Sequence, residues 1–153
     1  MEFHLSQARP DDLELLVAHR LGMWRDIHPE FGSKVDESEG LTRQWIRERL
    51  SDGTLVGFIV RVEDGRVAGS GCIWLRNEQP RPTNPRMVVP YLMSMYTERA
   101  FRRKGVGRLI VKSALEWCRE RDYDRVVLHA SAAGRPLYEE FGFEPASEMR
   151  LRF

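Results

Sequence analysis

Cysteine is scarce: the chain of 153 residues holds two, Cys72 and Cys118. That excludes a small secreted scaffold stapled by disulfides, and both residues read as reduced thiols of a core. Histidine is nearly as sparse. His4, His19, His28 and His129 form no H-x-x-x-H pair, and neither cysteine has a partner at metal-ligand spacing, so no metal site is expected. No run of 18 apolar residues occurs, which excludes a membrane-spanning helix. The opening Met1-Glu2-Phe3-His4 lacks the basic and apolar regions of a secretory leader, so the expected location is cytoplasmic. Neither sign of charge dominates, with 24 Lys and Arg against 23 Asp and Glu, a formal net charge of +1. A generally basic nucleic-acid binder is thereby disfavoured.

What is present suits one folded domain spanning 1–153. Hydrophobic residues make up 42% of the chain and aromatic residues 10%, enough to offset the entropy of ordering it. Phe3 to Ala8 alternates like an edge strand. Pro10-Asp11-Asp12 opens a helix whose apolar positions Leu13, Leu16, Val17, Leu21 and Trp24 carry it to about Ile27, before His28-Pro29 ends it. A second helix is expected from about Asp36 to Leu50. Thr54 to Val62 and Val67 to Leu75 flank the turn Glu63-Asp64-Gly65-Arg66 and read as a hairpin. Arg76 to Pro90 holds four of the eight prolines and reads as a long functional or mobile loop. Val89 to Thr97 is nearly all apolar, as a buried strand is. Gly105 to Arg121 is the clearest helix, with Val106, Leu109, Ile110, Ala114, Leu115, Trp117 and Cys118 at three- and four-residue steps. A short strand from Arg125 to Ala130, a short helix from Pro136 to Phe141 capped by Gly142, and an alternating terminal strand from Met149 to Phe153 complete an α/β chain.

The charge is unevenly spread. Arg99, Arg102, Arg103, Lys104 and Arg108 fall within ten residues that contain no acid, and the other 143 residues carry 19 cations against 23 acids. Gly105 and Gly107 open the long helix inside this stretch. Unpaired N–H groups and a positive dipole end at a helix start suit a phosphate, and nearby arginines add charge-assisted hydrogen bonds. Read alone, the same residues also describe a solvated surface loop. The pattern is neither G-x-x-x-x-G-K-[ST] nor G-x-G-x-x-G, which disfavours nucleoside triphosphate hydrolysis and nicotinamide redox chemistry.

Arg102-Arg103-Lys104-Gly105-Val106-Gly107 resembles the R/Q-x-x-G-x-G/A acetyl-CoA loop of the GNAT superfamily of N-acetyltransferases, and Pro136 to Phe143 resembles that family's L-Y-x-x-x-G-F signature. The resemblance extends from Ala8-Arg9-Pro10 to Phe143. It implies a single-domain fold with a central mixed, mostly antiparallel sheet flanked by helices, its strands splayed at the cofactor site. It also implies acetyl-CoA as acyl donor, with Met95, Tyr96 and Thr97 lying along the pantetheine by main-chain contacts. Arg102, Arg103, Lys104, Gly105, Val106, Gly107 and Arg108 would surround the pyrophosphate. Tyr138 matches the tyrosine that protonates the leaving thiolate; a phenol with a pKa near 10 is suited to that task. Ser131 stands where many relatives carry Asn, and is expected to contact the cofactor.

The general base is not legible in the same way. Val89 to Tyr96 contains no carboxylate, so His129, Glu98, Asp26 and His28 are candidates, although a histidine on a short strand is often part of the core. The acceptor, a small-molecule or peptide amine, is expected under the first two helices and the Pro80 to Pro90 loop, beside Trp24, Trp45, Trp74 and Tyr91. Asp36, Glu37 and Glu39 would suit a polycationic acceptor, or simply a solvated helix start. The missing strand carboxylate also fits a non-catalytic acyl-CoA-binding module of the same fold. A nucleic-acid contact lacks a second basic motif, and the apolar terminal strand would permit a homodimer.

Overall fold

The computed structural model describes all 153 residues. One five-stranded sheet has the order β1 (Phe3–Gln7), β2 (Leu55–Val62), β3 (Val67–Asn77), β4 (Val88–Thr97), β5 (Val127–Leu128). The first four strands pair antiparallel, and β5 joins β4 in parallel after a helical crossover. Between β1 and β2 lie α1 (Leu13–Ile27), α2 (Lys34–Glu37) and α3 (Glu39–Asp52); α4 (Val106–Glu120) precedes β5 and α5 (Arg135–Glu140) follows it. No helix is long and apolar enough to cross a membrane.

The sheet separates two cores. On one face Leu16, Val17 and Leu21 of α1, with Val35 and Ile46, pack on Leu55, Ile59 and Cys72. On the other, the stripe of α4 formed by Val106, Ile110, Val111, Ala114 and Cys118 covers Phe58, Val60, Ile73 and Leu92. Burying each such aliphatic side chain contributes roughly 1.5–3 kcal/mol, so α4 is held by packing more than by propensity. Both cysteines are free and buried, and burial pushes the Cys72 thiol up to about 12.

Several boundaries move. Pro10–Asp12 form a separate 3-10 turn before α1, in which the Asp12 carboxylate accepts the Arg9 N–H at 2.8 Å. The expected second helix is broken at Ser38, whose hydroxyl donates to the Val35 carbonyl, giving α2 and α3. β3 and β4 run on into the proline-rich segment from its two ends, leaving 78–87 as the loop. That loop is tied to the end of α4 and the residues after it through Arg81–Asp124, Arg125–Glu78 and Arg86, which stacks over Tyr123.

Two corrections concern the C-terminal part. The strand expected over 125–130 shrinks to Val127–Leu128, and Met149 to Phe153 forms no strand. Alternation alone does not make a strand; a paired neighbour does, and Met149, Leu151 and Phe153 lie exposed without one.

β4 carries a bulge. Ser70 faces Tyr96 and Cys72 faces Met93, so Ser94 and Met95 together oppose Gly71, and Ser94 adopts a φ of 56°. A side chain on Gly71 would meet the Met95 sulfur at 2.5 Å and Ile110 at 2.7 Å, so only glycine lets the bulge and α4 close on β3 here.

Candidate functional site

Three features converge around the bulge. The first is an open strand edge. β5 pairs only with Tyr91 and Leu92, so beyond Leu92 that side of β4, including Met95, Tyr96 and Thr97, meets no strand. The splay implied by the sequence therefore has a local cause, namely that β5 stops after two paired residues. An extended ligand with amide groups can use such an edge as another strand would.

The second is the loop into α4. Arg103 and Gly105 both have positive φ, 63° and 86°, and every backbone N–H from Arg103 to Arg108 donates to no group of the chain. The first helical bond is that from Leu109 to the Gly105 carbonyl, at 3.0 Å. Consecutive free N–H groups in alternating hand form an anion nest at the positive end of the helix dipole. Nothing lies within 4 Å of where a Gly105 side chain would start, so the nest is open. These features fit a pyrophosphate.

The five cations of the loop divide by role. Arg102 donates to the Thr97 carbonyl at 2.9 Å and to Asp26 at 2.5 Å, which braces the loop against α1 rather than freeing the guanidinium. Arg99 approaches the same carboxylate at 3.9 Å, and Arg108 pairs with Glu140 of α5. Arg103 and Lys104 make no ion pair and remain the free charges beside the nest.

Tyr138, on α5, packs edge-on against Phe143, and burial raises its pKa. Its hydroxyl takes no partner within the chain and is not sealed off. Ser131 accepts the Gly134 N–H at 3.1 Å and so shapes the turn into α5, on which Tyr138 stands; its own O–H stays available.

The third feature is a cavity of about 430 Å³ on the α1 and α3 side, lined by Arg20, Trp45, Trp74, Arg76, Tyr91 and His129 among others. Trp74 lies edge-on between Trp45 and Tyr91. Arg20 donates to the Ser94 hydroxyl at 3.1 Å, which connects the cavity to the bulge. Of the four expected aromatics Trp24 is absent, being packed on His28 and Phe31, and the proline-rich loop contributes nothing to the wall. Asp36 pairs with Arg25 and Glu39 with Arg43, so the acidic cluster belongs to the surface.

Among the four candidate bases, only His129 faces this cavity. Its Nδ1 lies 2.6 Å from the Tyr91 hydroxyl and its Nε2 3.0 Å from Glu148. The bond to His129 holds the Glu148 carboxyl below its ordinary range, while burial raises Tyr91. An ionised Glu148 accepts the hydrogen bond of the Nε2–H, so Nδ1 carries no proton and accepts from the Tyr91 hydroxyl. Glu98 is engaged with His19 at 3.0 Å, Asp26 with Arg102, and His28 with Glu30 on the surface. His19 is itself sealed, with the Ser70 hydroxyl 2.7 Å from Nδ1.

Residues 21–143 match the model of the acetyltransferase (GNAT) family. The chain belongs to that family. A GCN5-related N-acetyltransferase from Ralstonia eutropha JMP134 has the same fold, with a TM-score of 0.91 and 27% identity over 99% of both chains. The chain is 27% identical to the glucosamine 6-phosphate N-acetyltransferase of Trypanosoma brucei brucei, covering 92% of this chain and 95% of that one. It is 26% identical, over 71% of this chain and 70% of the other, to a Bacillus subtilis (strain 168) protein provisionally described as a ribosomal protein bS18-alanine N-acetyltransferase. Acetyl-CoA is the acyl donor of GNAT enzymes, and the open edge and nest of this chain are compatible in chemistry with such a donor.

Three residues of the site went unread in the sequence: Arg20, Arg76 and Glu148. Arg20 did leave a signal. It sits four residues before Trp24 and three after Val17, a charge at an apolar position of the α1 stripe. Arg76 and Glu148 left none.

Proposed function

We propose that this GNAT chain is an N-acetyltransferase moving the acetyl group of acetyl-CoA to a primary amine of a small molecule or peptide, by direct attack in a ternary complex. The observation that carries the reading is the pair of sites meeting at the β4 bulge: an open edge and anion nest on one side, an aromatic cavity with a proton relay on the other. In this reading the main chain of Met95, Tyr96 and Thr97 holds the pantetheine. The N–H groups from Arg103 to Arg108, with the charges of Arg103 and Lys104, hold the pyrophosphate. Ser131 supports the cofactor's other flank, and Arg102 keeps the loop in place.

The amine nitrogen attacks the thioester carbonyl and its C–S bond breaks. One amine proton passes to the Tyr91 oxygen as the Tyr91 proton passes to Nδ1 of His129, and Glu148 stabilises the imidazolium. Tyr138 protonates the departing sulfur. The relay supplies what a carboxylate on β4 would otherwise provide, which weighs against the binding-module alternative.

Two measurements test the proposal. Acetyl-CoA at a hundred times its Kd should stabilise the fold by about 2.7 kcal/mol, read as a rise in Tm. Thiol release with a turned-over amine should fall in Tyr138→Phe while cofactor affinity is kept. No thermal shift at millimolar acetyl-CoA would overturn the donor assignment, and unchanged turnover would remove Tyr138 from its role.

A further inference from the structure

The cavity that faces the bulge is lined by two arginines and no carboxylate. Arg20 and Arg76 are both half-buried, and neither makes an ion pair within the chain. Arg20 gives one hydrogen bond, to Ser94, and lies over the Trp24 ring at 5.1 Å; burial lowers its pKa. Arg76 lies over the Tyr91 ring at 5.1 Å and gives no hydrogen bond. The one acid bonded to a wall residue, Glu148, is engaged by Nε2 of His129 and lies within the field of Arg76 without forming an ion pair with it. A half-buried guanidinium with no carboxylate bonded to it is costly, and its planar fork of donors matches a carboxylate or phosphate.

We infer that the acceptor of this GNAT site is an amine that also bears an acidic group, a carboxylate or a phosphate, seated on Arg20 and Arg76. This inference rests on the proposed transferase reading and names its substrate class. Trp45 and Trp74 present flat apolar walls to the body of the molecule. The same cations act on the amine. Two positive charges disfavour a third, so the bound nitrogen loses its proton more readily and reaches the Tyr91–His129 relay as a nucleophile. The acidic group offsets the repulsion that would otherwise expel an ammonium. A polycation has no such compensation in this cavity and is rejected by it.

Matched pairs of amines test the assignment: tryptophan against tryptamine for the carboxylate, glucosamine 6-phosphate against glucosamine for the phosphate, with spermine as the polycation. Binding to the protein saturated with CoA is read by titration calorimetry, and turnover with acetyl-CoA by thiol release. At least one acid-bearing member should bind about tenfold to a hundredfold more tightly than its partner, and the two arms show whether carboxylate or phosphate is preferred. Arg76→Gln should erase that difference, and Arg76→Lys should restore part of it. Because Arg20 also holds Ser94, Arg20→Gln should lose the preference together with turnover. If neither acid-bearing compound outbinds its partner, if spermine outbinds both, or if the preference survives Arg76→Gln, the assignment is overturned. Selective binding without thiol release from any compound would leave the acidic subsite standing and overturn the transferase reading instead.

Discussion

The chain contains the same chemical triplet twice: hydroxyl, imidazole, carboxylate. In Ser70–His19–Glu98 the histidine side chain is 3% exposed, and the triplet ties β3, α1 and the turn after β4 together. In Tyr91–His129–Glu148 it is 49% exposed and faces the cavity proposed for the acceptor. The bonding distances are close to identical, 2.7 and 3.0 Å against 2.6 and 3.0 Å. Geometry therefore does not separate a structural from a reactive relay. Access does, because a sealed imidazole has no amine to serve, and burial already drives its proton off.

Removing each histidine breaks the comparison most sharply. His129→Gln should lower turnover about a hundredfold or more, with unfolding free energy changed by less than about 1 kcal/mol, read by thiol release and urea melts. His19→Ala should do the reverse to the fold, costing about 2–4 kcal/mol through the lost volume and the stranded Ser70 hydroxyl. Equal stability losses in the two variants would erase the distinction.

Acid gives a smaller, graded version. Burial lowers the folded pKa of His19 below its ordinary 6.5, so the unfolded chain binds the proton first. The stability this contributes is complete above pH 6.5 and is lost as pH falls through the folded value. Urea midpoints measured between pH 7.5 and 5.5 should fall in the wild type more than in His19→Ala. The smallest effect is reserved for Glu98→Gln, below about 1 kcal/mol at pH 7.5 since Glu98 is 43% exposed. Because Glu98 raises the His19 pKa against burial, its loss should deepen the acid sensitivity, and an unchanged pH profile would remove that coupling.

The order of elements and the glycine-marked basic loop into α4 were legible in the sequence because both depend on neighbours along the chain. Gly105 and Gly107 mark the helix start, and the α4 stripe declares its buried face. The aromatic cavity was not legible, because its walls come from α1, α3, β3, β4 and the residue after β5. Arg20 carried a hint, as a charge within an apolar stripe. Arg76 at a strand end and Glu148 in the tail look like any solvated residue until the fold brings them to Tyr91 and His129. The terminal strand failed for the complementary reason: Met149 to Phe153 has the alternation of a strand and no partner to pair with.

The bulge at Ser94 and Met95 has the effect of a change of parity. Before it, Leu92 packs with the α4 core and Met93 with the α1 core; after it, Met95 packs with the α4 core and the Tyr96 ring lies 4.8 Å from that of His19 on α1. Even and odd positions thus exchange faces halfway along one strand. Deleting Ser94 would restore simple one-to-one pairing with Met95, Tyr96 and Thr97 on the faces they now occupy, and would remove the hydroxyl that accepts from Arg20. One extra residue thus lets β4 present two consecutive side chains to the α1 side, Met93 in the cavity wall and Ser94 on Arg20.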